Sequence, residues 1–336
     1  MDFRLQQSLD VKFLEDAFIL PWRSPEGKRV MYGGVVSFEG VYDKSSGWHE
    51  GIASDYPFET EQVEYYDETV VYIGCLYHVW GHAITDNLKK LWWLLDKSQE
   101  DYKLVYITVG NTPLPHYALE LISLLGIDLR KAEHITNLRK YREIIVPDSS
   151  LVNVDEIRYY APEFVNTIAK ITSHIPTVAK YEKVYFTRTQ LANSRDLGEE
   201  NVERFFRKQG FQIIAPEKLS LSEQLEILHN CKTFASTEGS ISHSTLFCQP
   251  GTEVLILKKV DFNNHNTNFI NQAFRLNAVF INAGHSVLAH KERPWLGPFY
   301  VCITKELVSY FHQHFYVPYY LLFSWYKYRW KKDYII

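Results

Sequence analysis

His82 and Asp86 stand four residues apart in 79–95, VWGHAITDNLKKLWWLL. A histidine and a carboxylate at i and i+4 can hydrogen-bond to each other, or line a cleft together as a general-base unit. The apolar residues Ile84, Leu88, Leu91, Trp92 and Leu95 fall at helical spacing and predict one buried stripe on a helix over about 80–96. His82, Asp86, Lys89 and Trp93 then share the opposite face, so replacing His82 or Asp86 is expected to disturb the core little. A plain surface helix accounts for Lys89 on that face, but less well for His82, directly after Gly81. A second segment, 236–247, reads STEGSISHSTLF. It predicts a strand, a small-residue turn and a helix start, where unpaired N–H groups suit a phosphate. Gly239 would let the backbone approach a ligand, and Ser240, Ser242 and His243 would add donors; an ordinary capped helix is the simpler alternative. A third segment, 183–188, KVYFTR, puts Arg188 at the end of a strand with Arg195 beyond it. A guanidinium there suits a diphosphate, although such an arginine is also a common surface ion-pair partner.

Other chemistries lack their residues. The 236–247 segment is neither G-x-G-x-x-G nor a Walker A loop, and it lacks the G-x-S-x-G elbow of a serine hydrolase. No D-x-D occurs in the chain, and the only H-x-H, His312 and His314, has no carboxylate or cysteine cluster beside it. Neither a metal site nor a resident cofactor is expected.

The elements that must carry these residues follow from the apolar runs. The first 60 residues predict short strands or irregular edges. Strands at 70–74, 103–109 and 144–147 alternate with helices at 80–96, 116–126 and 161–174. The second half alternates more cleanly. Strands at 184–187, 211–215, 233–236 and 254–257 are separated by helices at 197–209, capped by Gly210, at 220–229, opened by the capping box Ser220–Glu223, and at about 239. Alternation of this kind predicts α/β architecture with largely parallel sheets.

Length and composition agree. At roughly 100–200 residues per domain, 336 residues make about two domains. Hydrophobic residues at 46% exclude large-scale disorder, and a net charge of −4 disfavours a general nucleic-acid binder. The aromatic content is high at 15%, which suits either aromatic-rich cores or a carbohydrate or interfacial partner. Four widely spaced cysteines, no apolar leader at the amino terminus and no run long enough to span a bilayer predict a cytoplasmic protein with free thiols.

In this order the segments resemble glycosyltransferase family 61, especially its bacterial capsular polysaccharide members. The shared blocks are Gly81-His82 with Asp86 and Trp92; Phe186-Thr187-Arg188 with Arg195 and Glu199; Pro216-Glu217 with Ser220 and Glu223-Gln224; and Gly239-Ser240 with His243-Ser244, Phe247 and Pro250-Gly251. The resemblance covers about 70–285. It implies a GT-B architecture, two Rossmann-like domains facing across a cleft, and an inverting, metal-independent transferase. The donor would be a nucleotide-sugar, usually a UDP-sugar, and the acceptor a glycan, lipid-linked in a capsule setting. Asp86 or His82 would be the base, Asp86 slightly ahead. Arg188, Arg195, Glu217, Gly239, Ser240, Ser242, His243 and Ser244 would bind the donor. The implied division is an acceptor domain at 1–176, a nucleotide-sugar domain at 177–304 and an aromatic tail at 305–336. That tail would pack back on the first domain, meet the inner face of the plasma membrane, or do both. A non-catalytic subunit of a capsule assembly complex is the rival reading; it would need no base.

Overall fold

The computed structural model describes residues 1–24, 31–48, 53–155, 157–191, 196–260, 265–285 and 299–312. The chain forms two compact units, Met1–His174 and Ile175–Ile336. Arg195 and the tail from residue 313 onward lie outside the described residues.

The first unit begins with β1 (Val11–Glu15), β2 (Phe18–Arg23), β3 (Met31–Val36) and β4 (Ala53–Ser54). The long β5 (Glu64–Leu76) follows, then α1 (Trp80–Ala83), β6 (Lys103–Thr108), α2 (His116–Ser123), β7 (Glu133–His134) and β8 (Arg139–Pro147). The unit ends with the hairpin β9 (Leu151–Val154) and β10 (Ile157–Tyr160), and with α3 (Pro162–Thr172). The sheet order is β4-β3-β2-β8-β5-β6-β7, with β1 also paired to β8. The stretch β8-β5-β6-β7 is parallel, whereas β1 and β2 join β8 antiparallel. The expected largely parallel sheet is therefore mixed: the short amino-terminal strands extend it rather than standing apart. From residue 70 to 76 β5 is buried at every position, as a central strand covered on both faces must be. Val70, Tyr72, Val105, Ile107, Ile144 and Val146 share its core, each apolar side chain contributing roughly 1.5–3 kcal/mol by burial.

The predicted helix over 80–96 is not continuous. Only residues 80–83 are α-helical; turns follow, then a 3-10 turn at Leu91–Leu94. Short polar side chains compete for the backbone here. Thr85 Oγ1 donates to the Gly81 carbonyl at 2.7 Å. Asn87 clamps Tyr77, accepting from its N–H at 2.8 Å and donating to its carbonyl at 3.0 Å. Residues 83–91 are buried on all sides, so no outward face exists. Lys89 and Lys90 are both buried, and Lys90 Nζ donates to the Pro147 carbonyl at the end of β8.

The second unit follows the expected alternation closely. Its elements are β11 (Lys183–Phe186), β12 (Asp196–Leu197), α4 (Glu199–Lys208), β13 (Gln212–Ile214), α5 (Leu221–Asn230), β14 (Thr233–Thr237) and β15 (Glu253–Lys258). Then come α6 (His265–Ala273), β16 (Asn277–Asn282), β17 (Gly284–His285), β18 (Phe299–Val301) and α7 (Lys305–Tyr310). Five parallel strands run in the order β13-β11-β14-β15-β16. The capping box at Ser220 and Glu223 is present, and Gly210 closes α4 at φ +84°. The expected helix after Gly239 is instead a six-residue 3-10 segment, Ser242–Phe247. Ser242 Oγ donates back to the Gly239 carbonyl at 2.7 Å, and Thr245 Oγ1 to the Ser242 carbonyl at 2.8 Å, which tightens the winding. Leu307 of α7 belongs to this unit's core, and Phe311 packs edge-on against Phe205, Phe206 and Phe211. The start of the aromatic tail thus packs inside the second unit.

Candidate functional site

In the first unit the chain runs β5, β6, β7 outward to one side and then returns to lay β8 on the other side of β5. Ligands of open α/β sheets bind beyond the carboxyl ends of strands at such a reversal. His82 and Asp86 follow β5 at this place. His82 Nδ1 and Asp86 Oδ2 are 2.6 Å apart. Arg158, on β10, reaches the same carboxylate with Nη1 at 2.8 Å from Oδ1 and Nη2 at 3.3 Å from Oδ2, and Thr85 Oγ1 lies 3.2 Å from Oδ2. Sequence reasoning put Asp86 on an outward face; it is 3% exposed, while the His82 side chain is 28% exposed. A carboxylate against Nδ1 assigns the proton to that nitrogen and the lone pair to Nε2. The His82 ring lies 5.2 Å from Trp48 and 5.1 Å from Tyr77, centroid to centroid, so an aromatic setting fixes its plane. Arg158 was not foreseen. It sits 72 residues beyond Asp86 with no spacing pattern to mark it.

In the second unit the reversal falls between β11 and β14. Arg188 lies two residues past β11, Gly239 two past β14 and Lys259 one past β15, the carboxyl ends of three adjacent strands. Gly239 has φ +134°, which favours glycine, and a Cβ there would stand 3.7 Å from Lys259 Nζ and 3.8 Å from Arg188 Nη1. Asp196 Oδ2 is shared by the two cations, 3.5 Å from Arg188 Nη1 and 3.1 Å from Lys259 Nζ. Lys259 is 6% exposed, with its ammonium 4.5 Å from the centre of the Phe299 ring. Burial holds the lysine below its ordinary pKa; Asp196 pulls it up and Arg188 pushes it down. Its backbone touches that of Gly284 so closely that a Cβ on Gly284 would collide with the Lys259 carbonyl.

Glu199, the first residue of α4, stands behind Arg188. Its Oε1 accepts from Tyr185 Oη at 2.9 Å and from the Arg188 N–H at 3.4 Å. Burial raises the carboxyl to about 7; the Tyr185 bond and Lys259 oppose the rise and Asp196 adds to it.

The foreseen donor residues separate into groups. Arg188 and Gly239 come together, and Ser240 beside them is half-buried. Ser242, His243 and Ser244 are buried within the 3-10 segment, with the Ser242 hydroxyl engaged at Gly239. Glu217 is exposed on the turn Pro216–Lys218 and is not joined to Arg188 or Gly239. Lys259 and Asp196 were missed. The rule that singled out Arg188, a cation just past an apolar strand, also marks Lys259 after Val254–Leu257.

One mixed and one parallel α/β sheet, with charged residues beyond the carboxyl ends of their parallel strands, define a fold compatible with Rossmann-like glycosyltransferases. The family model Glycosyltransferase 61 matches residues 80–255, more than half of the chain, and the chain belongs to that family. The match begins beside His82 and reaches past Gly239. Membership makes the protein a glycosyltransferase and implies a nucleotide-sugar donor and a glycan acceptor. No curated protein matches the chain.

Proposed function

We propose that the protein is an inverting glycosyltransferase of the GT-B type, which transfers a sugar from a UDP-sugar to a hydroxyl of a saccharide acceptor without a metal ion. The observation that carries this reading is the buried chain Arg158–Asp86–His82, with its histidine end the more exposed. His82 is the base and Asp86 its orienting partner, which reverses the order of preference that the sequence alone suggests. Asp86 already accepts from Arg158 and His82, so a proton on it would have to displace these bonds. In the reaction the acceptor oxygen bonds to the anomeric carbon as the bond from that carbon to the diphosphate oxygen breaks. The hydroxyl proton passes to His82 Nε2, and the charge left on the diphosphate is met by Arg188.

The absence of D-x-D in the sequence supports a metal-free donor site, in which side-chain cations take the place of a divalent ion. The setting we propose is capsular or other cell-surface polysaccharide synthesis, with a lipid-linked acceptor, in the cytoplasm at the inner face of the membrane. No helix among the described residues is long and apolar enough to cross a membrane.

Calorimetric titration with UDP tests the donor site. Arg188→Ala should weaken UDP binding as loss of a charge-assisted bond does, by about 1.5–3 kcal/mol. A folded wild-type chain that binds no nucleoside diphosphate, or an Arg188→Ala variant that binds UDP unchanged, would overturn the assignment.

A further inference from the structure

We infer that Lys259 is the second cation of the donor site, and that its ammonium joins Arg188 in holding the diphosphate over Gly239. The inference rests on the donor reading above but concerns a residue that the family match, ending at residue 255, does not reach.

Three observations converge. First, the arrangement is topological: Arg188, Gly239 and Lys259 follow three neighbouring parallel strands, two of which flank the reversal of strand order. Second, the missing side chain of Gly239 leaves a place within 4 Å of two cationic nitrogens, belonging to side chains that approach from different strands. Third, one carboxylate, Asp196, is shared by a guanidinium and an ammonium that both stand beside Gly239, in a place of low dielectric, where an anion is worth more than in water.

A counter-ion role for Lys259 explains less. A buried ion pair adds little to stability compared with apolar side chains of similar volume. A lysine kept only for Asp196 would also have no reason to stand beside Gly239. The buried ammonium has shed most of its water already, so meeting a phosphate costs it little further desolvation. A diphosphate spans two phosphoryl groups, and two cations that approach Gly239 from different strands can meet both.

The test separates ligand contact from simple pairing. Lys259→Met alone leaves Asp196 buried without its ammonium and can fail to fold, so the comparison is made in the Asp196→Asn background, where the carboxylate charge is gone. UDP and uridine are the two probes, titrated into Asp196→Asn and into Asp196→Asn/Lys259→Met, with thermal melts to verify folding. The expected result is that the added Lys259→Met change weakens UDP by about 10- to 100-fold and leaves uridine unchanged. Equal UDP affinity in the two proteins overturns the inference, and so does an equal loss for UDP and uridine. If Arg188→Ala weakens UDP while Lys259→Met does not, the donor site stands and Lys259 is only the partner of Asp196. If the wild type binds no UDP at all, the donor reading falls and this inference with it.

Discussion

Asp86 and His82 are only four residues apart, yet the structure gives them different physical situations. Asp86 is buried against a guanidinium, so removing its charge strands Arg158. Asp86→Asn should therefore cost about 3–5 kcal/mol of stability, contrary to the mild effect that an outward-facing position would give. His82→Ala leaves that pair intact. It should lower the melting temperature little and turnover by about 10²–10⁴-fold. The two variants can be compared by urea denaturation, and by turnover on whichever donor first shifts the melting temperature in a nucleotide-sugar screen. A His82→Ala variant with wild-type turnover removes the proposed base. At this scale the sequence was legible where the pattern is local: an i, i+4 pair, an arginine past a strand, a glycine after another. Arg158 and Asp196 were not legible as partners, because ion pairs closed by the tertiary fold leave no periodic trace.

Elements show the same division. Strands buried on both faces read as unbroken apolar runs: 70–74 and 254–257 lie within parallel-paired strands, and 184–187 overruns its strand by one residue. The 80–96 segment misled because its apolar residues repeat at helical spacing, while Thr85 takes the Gly81 carbonyl that a helix would use and Asn87 ties the chain back to Tyr77, just past β5. The segment after Gly239 misled similarly, since serine and threonine hydroxyls bonded three residues back favour the tighter 3-10 winding. Helix α4 carries a prediction of its own through Glu199 at its start. The carboxyl titrates at about 7 in the fold, against an ordinary value of 4.5. The folded chain then binds more protons than the unfolded chain between those values, so stability is full below about 4.5 and is lost as pH rises through about 7. Between pH 5 and pH 8 the loss from this one group should be on the order of 2–3 kcal/mol. Glu199→Gln keeps an acceptor for Tyr185 and removes the titration. Urea melts at both pH values should show a smaller pH dependence in the variant by that amount; equal dependence would mean that Glu199 stays ionised in the fold.

Across the whole molecule, both units use one device. Each has a parallel stretch whose strand order reverses, and in each the charged residues stand beyond the strands that flank the reversal. The aromatic segment at the carboxyl end extends the question to a surface. Between residues 310 and 330 there are 11 aromatic residues, and Lys327, Arg329, Lys331 and Lys332 follow a run of 16 uncharged positions. Phe311 packs in the second unit's core, so the segment is anchored at its start. We expect Trp325 and the basic residues after it to dock on anionic lipid, where each Lys or Arg contributes about 1 kcal/mol. Flotation with anionic liposomes at low salt should carry the full chain upward and leave behind a chain ending at Ser324. Equal flotation of the two would assign the segment to packing alone.

Gly284 touches no nucleotide in any of these schemes, yet its bare backbone is what allows the Lys259 backbone to sit where it does. A methyl group added there would act as a wedge, tilting the end of β15 and carrying the ammonium away from Gly239. Such a change would imitate a lesion of the donor site while every charged side chain stayed in place. A catalogue of variants sorted by distance from the ligand would file it as silent. The position is informative through what it lacks: twenty-five residues downstream of the lysine, hydrogen is the only substituent that the neighbouring carbonyl tolerates.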